Sequence, residues 1–178
     1  GATSLRDYEE AGNKYIALWR KYGEEPLRAK QPMQCEKMDE VVYNAARAYQ
    51  AARLVAKAIK ARSILIDPAN TMDKGDLARK AVYEIGGNYQ AIAVYDAAAV
   101  WYERYANQFP KAENSDKALS DATVLRLGLG QEDEAIKDAD TFNRTFGQSH
   151  ATQAAQIAFA VGAHYVEKED WDKARQRL

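Results

Sequence analysis

Apolar and small residues recur at helical spacing along nearly the whole chain, and period-2 runs of β-branched residues are almost absent. That pattern predicts an all-α protein without strands. Turn and breaker residues place the interruptions at Gly23 to Pro32, Asp67 to Asp73, Phe109 to Ser115, Gly128 to Glu132 and Phe146 to Ser149. Tighter turns fall at Ala51 to Leu54, Ala91 to Tyr95 and Glu167 to Asp170. About nine helices of three to five turns result, and short loops between helices of that length imply antiparallel hairpins. The stretch from Glu24 to Lys37, with Pro26, Pro32 and Cys35, is the one longer connection. Its composition leaves an ordered insert and a mobile loop equally open.

Within the helical pattern lies a repeat. Gly86, Tyr89, Tyr95 and Ala98 follow the template G-x2-Y-x5-[YW]-x2-A, and Gly162, Tyr165, Trp171 and Ala174 follow it again. At this composition the template is expected by chance on the order of 0.01 times. Ala46, Tyr49 and Ala58 keep part of it, with Arg62 where an aromatic is usual. The third unit keeps Gly130, Ala135, Ala139 and Phe142. The alanines at 58, 98, 135 and 174 are spaced by 40, 37 and 39 residues.

These residues resemble the tetratricopeptide repeat (TPR) family, clearest in AVYEIGGNYQAIAVYDAAAVWYERYANQFP with its Tyr102, Tyr105 and Pro110. The resemblance implies a right-handed solenoid of antiparallel helix pairs, each with a helix A and a helix B, and a single domain over 1–178. Its parts are a half repeat at 5–23 and repeats at 36–68, 74–110, 115–147 and 150–178. Spacing above the family's usual period, with loops such as RYANQFPKAENSDKALSDA, is similar to TPR proteins of the Gram-negative cell envelope: outer-membrane assembly, Tol-Pal-associated and gliding-motility proteins. The chain opens in a helix-B pattern and ends inside a helix, so the face with Tyr165, Trp171 and Leu178 is expected to lie open for self-association.

Chemistry adds little to this picture. Lys plus Arg is 25 against 26 for Asp plus Glu, a net charge of -1, which offers no sequence-wide footprint for nucleic acid. One cysteine excludes an internal disulfide, and with His150 and His164 it does not make a common zinc site. No apolar run is long enough to span a membrane. The acidic pairs Glu9 with Glu10, Glu24 with Glu25 and Glu132 with Asp133 read as solvated helix charges, and Gly86-Gly87 and LGLG match no phosphate loop. Cys35 reads as a passive thiol. No enzyme, metal or cofactor is expected.

What the resemblance does imply is a partner-binding groove lined by the A helices. Its positions are Glu40, Tyr43, Arg47 and Gln50, then Lys80, Tyr83, Gly87 and Gln90. Lys117, Ser120, Val124 and Leu127 follow, and then Gln156, Phe159, Ala163 and Val166. Tyr43, Tyr83 and Phe159 form an aromatic track suited to a protein or peptide, with Arg47, Lys80 and Lys117 for acidic groups. The lysine and asparagine clamp of chaperone adaptors is not reproduced, since Tyr43 with Arg47 and Tyr83 with Gly87 stand in its places. The expected function is a non-catalytic interaction scaffold of a bacterial cell-envelope complex, periplasmic or outer-membrane-associated. A cytosolic adaptor, or an accessory region of a larger enzyme, is the alternative.

Overall fold

The structure, a computed structural model, describes residues 4–177. Among the described residues there are ten α-helical segments and no strand, and all but the four-residue α2 are longer than one turn. They are α1 (Leu5–Trp19), α2 (Glu25–Arg28), α3 (Met38–Ala51), α4 (Val55–Ile66), α5 (Asp76–Ala91), α6 (Tyr95–Gln108), α7 (Ser115–Gly128), α8 (Glu132–Phe146), α9 (Ala151–Glu167) and α10 (Trp171–Arg177). The chain divides into two compact units, Gly1–Asn88 and Tyr89–Leu178, with the boundary inside α5.

In the first unit, α1 and α4 both pack along α3. Trp19, Met38, Val42, Leu65, Met72, Ala78 and Ala81 form one core cluster, and Ala45, Ala46, Tyr49, Ala58 and Ala61 a second. In the second unit, α6 packs on α7, α7 on α8, α8 on α9, and α9 on both α10 and α7. The small residues read from the repeat are all buried: Gly86, Ala98, Ala135, Gly162 and Ala174, with Ala58 beside them. Alanine or glycine at these places removes the bulk that would hold two helices apart.

One turn design closes each of the tight helix hairpins. Arg53, Ala93, Gly130 and Glu169 take left-handed backbone with φ between 58° and 71°. Leu54, Val94, Gln131 and Asp170 then donate their N–H groups back to the carbonyls of Tyr49, Tyr89, Arg126 and Tyr165, at 2.9 to 3.0 Å. This is the Schellman motif, which satisfies carbonyls that a helix end leaves orphaned. Lys30, φ 56°, ends α2 in the same way.

The break expected from Gly23 onward begins later. The chain runs on through a π-helical turn, Arg20–Glu24, into α2 and leaves the helix only after Arg28. Pro26 has no N–H to give and its ring crowds the carbonyl four residues back. Widening to the π turn relieves that crowding, and the Tyr22 carbonyl accepts the Gln34 N–H instead, at 2.8 Å. Leu27, Met33 and Cys35 pack against the first core cluster, so the connection is a folded-in insert. The expected open face at the chain's end also divides. Tyr165 is buried and Trp171 exposed, while Leu178 lies outside the described residues.

Candidate functional site

Two arginines stand where the repeat places aromatics, and each is the centre of a polar network. Arg62 on α4 occupies the place of Tyr102 in the next unit and is only 2% exposed. Its Nε donates to Glu84 Oε2 at 2.8 Å, one terminal nitrogen to Asn88 Oδ1 at 2.8 Å, and the other to Gln50 Oε1 at 2.7 Å. Tyr43 adds its hydroxyl to Glu84 Oε1 at 2.8 Å. Burial, then this contact with Glu84, pushes the Tyr43 phenol above its ordinary value. Three helices, α3, α4 and α5, are thereby tied by one guanidinium that is nearly cut off from water. A buried charge of this kind is tolerable only when its donors are all met.

Arg126 on α7 is the second such centre and stands where Tyr49, Tyr89 and Tyr165 stand in the other units. It bonds to both oxygens of Glu103 on α6 and to Gln131 at 2.6 Å. Asp138 on α8 is 6% exposed beside this pair, and its Oδ2 has no hydrogen-bond partner. Burial first, and the neighbouring Glu103 carboxylate second, push the Asp138 carboxyl up to about 8.

The expected groove residues fall into three groups. Tyr43 and Gln50 are committed to the Arg62 network, while Arg47 and Lys80 are exposed and Tyr83 and Gly87 half-buried. Arg47, Gln50, Ala51, Arg62 and Glu84 line a hollow of about 350 Å³. In the second unit Gln90 accepts the Tyr102 hydroxyl at 2.7 Å, Lys117 is exposed and Ser120 half-buried. Val124 on α7 and Phe159 on α9, helices that pack on one another, are 56% and 65% exposed. Three residues before Val124 on the same helix, burial raises the Asp121 carboxyl against the pull of Lys117.

Glu132, read from sequence as a solvated helix charge, is half-buried and bridges two helices. His164 lies 3.0 Å from its Oε1 and Lys168 also reaches that oxygen. The hydrogen bond from Lys168, then that of His164, lowers the carboxyl to about 2. Among the described residues no group of three or more His, Cys, Asp or Glu side chains is placed to hold a metal ion, and no helix is long and apolar enough to cross a membrane.

Sequence reasoning marked Arg62 only as a departure from the template and passed over Glu84, Asn88, Glu103, Arg126 and Asp138. The usable signal was a charged residue at a place the repeat reserves for a buried aromatic. A cation buried there must find an anion on a neighbouring helix.

Comparison with solved structures agrees with the helix-pair architecture. The chain is similar to the nearly identical TPR-like repeats of a Podosopora anserina protein assigned as a kinesin light chain, with TM-score 0.57 and 16% identity over 98% of this chain and 91% of that one. A methionine-substituted variant of the same protein gives TM-score 0.56 at 15% identity, with the same coverage. No protein-family model and no curated protein sequence matches. The fold is TPR-like.

Proposed function

We propose that the chain is a non-catalytic protein-protein interaction scaffold that holds a partner on its A-helix faces. The observation that carries this reading is the pair Val124 and Phe159. Residues Ile157, Val161 and Tyr165 bury the inner face of α9, yet Phe159 on the same helix is 65% exposed. Covering a side chain of that size is worth about 1.5 to 3 kcal/mol, which a docked partner recovers. Lys117, exposed on the same helix as Val124, suits an acidic group on that partner. A TPR-like fold supports the scaffold role, since its surfaces serve recognition.

The setting we propose is a multiprotein complex of the bacterial cell envelope, periplasmic or outer-membrane-associated. It is supported by the repeat spacing of 37 to 40 residues and by the style of the loop that follows Phe109. Pull-down from the source cell with wild type and a Val124→Ser, Phe159→Ser variant of equal helicity tests the scaffold role. Loss of defined partners in the variant is expected, and identical recovery sinks the reading. Cell fractionation tests the setting separately, because recovery in the cytosol would favour the adaptor alternative.

A further inference from the structure

A second surface, in the first unit, has chemistry of its own. Helices α1 and α4 both rest on α3 but make little contact with each other, and the gap between them is a cleft of about 660 Å³. That lies within the range of ligand-binding clefts. Its floor is apolar and built from buried or half-buried side chains: Trp19, Ile16, Tyr49, Ala61 and Ile64. The π turn carries Arg20 to its edge and α4 carries Lys60 there.

Charge is unbalanced in this cleft. Lys57 is paired with Glu9 at 2.7 Å, and Glu24 with Arg28 at 2.8 Å. Asp67 is turned to the Ala69 N–H, at 2.9 Å, where it caps a short 3-10 turn. Among the described residues neither Arg20 nor Lys60 has a carboxylate within ion-pairing distance. The local carboxylates are thus already engaged while two cations stand over an apolar floor. Asn13 adds a donor, because its oxygen accepts the Tyr49 hydroxyl at 2.9 Å and its amide nitrogen remains for a ligand.

We propose that this cleft is a docking site for an acidic peptide segment, with an apolar side chain on the Trp19 and Ile64 floor and carboxylates meeting Arg20 and Lys60. Cations alone would favour any anion, and the apolar floor alone any hydrophobe. The combination selects a chain that carries both at short spacing. The site is built from different residues than the A-helix face of the proposed scaffold role.

Selection of a displayed random-peptide library on the whole protein tests this, followed by titration of the winning peptides. Enrichment of acidic residues flanking an apolar one is expected. Binding should weaken roughly tenfold or more in an Arg20→Glu, Lys60→Glu variant and fall as salt rises. Arg20→Gln with Lys60→Gln provides the same reading without charge reversal, and both residues are exposed, so helicity should be kept. The Val124→Ser, Phe159→Ser variant should bind these peptides as wild type does. Failure to enrich any peptide, enrichment without acidic residues, or affinity unchanged in both cleft variants overturns the proposal. Dependence on Val124 and Phe159 instead also overturns it, and assigns the peptides to the A-helix face.

Discussion

The guanidinium of Arg126 holds the Glu103 carboxylate through two bonds, from Nε at 2.6 Å and from a terminal nitrogen at 3.0 Å. Its remaining terminal nitrogen is turned to Gln131, so the adjacent Asp138 oxygen Oδ2 is buried without a donor. Two carboxylates therefore share the low-dielectric space of one cation. The least costly arrangement keeps a proton between Asp138 and Glu103.

A pH dependence follows from that proton. An unfolded Asp releases it near 3.9, whereas folded Asp138 keeps it to about 8. Across the window between those values the folded state binds one more proton, so stability falls as pH rises and levels off outside the window. Asp138→Asn supplies a permanent donor with nothing to release. The expected result is a flatter plot of thermal midpoint against pH, and a gain of about 1 to 3 kcal/mol at pH 7. A variant less stable than wild type at every pH would show that Asp138 is ionised in the fold.

Arg62 should behave in the opposite sense, because its donors are matched. Arg62→Met leaves Glu84, Asn88 and Gln50 without the group that joins them. The typical cost of breaking a buried pair is about 3 to 5 kcal/mol, and Glu84 retains some solvent, so a loss of about 2 to 4 kcal/mol is expected in denaturant unfolding. Adding Glu84→Gln should return part of it, since no unpaired charge then remains. If the two losses simply add, Arg62 and Glu84 are not coupled.

How far the sequence could be read follows from these residues. The hairpin turns at Ala51 to Leu54, Ala91 to Tyr95 and Glu167 to Asp170 were legible, because Tyr49, Tyr89 and Tyr165 repeat at each helix end. The buried small residues were legible for the same reason. The Arg62 and Arg126 networks were not, since their partners Glu84 and Glu103 lie 22 and 23 residues away with no local pattern linking them. Arg20 and Lys60 meet at one cleft only because α1 and α4 stay apart on α3, which no spacing encodes. Gly23 and Pro26 were read as a stop, whereas a π turn absorbs the proline and the helix continues.

The turn motif makes its own prediction. Ala93 holds φ 60° in a position glycine adopts without penalty, while Gly130 holds φ 71° in the equivalent place. Ala93→Gly should raise stability, and Gly130→Ala should lower it, each by about 1 kcal/mol. Both sites are exposed and no atom lies within 4 Å of a Cβ built on Gly130, so the backbone conformation alone is at issue. Equal thermal midpoints for wild type and both variants would mean that the turn relaxes out of the left-handed region.

Gly23 is required for a different reason, close packing. A Cβ built there would lie 2.3 Å from Trp19 Cε3 and 2.4 Å from Cζ3, and 3.2 Å from the Met38 side chain. Trp19 is 3% exposed in the first core cluster, so the indole can yield only by giving up its packing there and moving towards the cleft. Gly23→Ala must therefore displace the indole, at a cost of about 1 to 3 kcal/mol, whereas Gly128→Ala, with nothing within 4 Å, should be neutral or mildly stabilising. Carried out in a Trp101→Phe, Trp171→Phe background, the change should also shift Trp19 emission to the red as the ring leaves the core. Because Trp19 forms part of the cleft floor, the same variant should bind acidic peptides more weakly while Arg20 and Lys60 are intact. Unchanged emission together with an unchanged midpoint would show that the π turn has enough slack to move Gly23 away from Trp19.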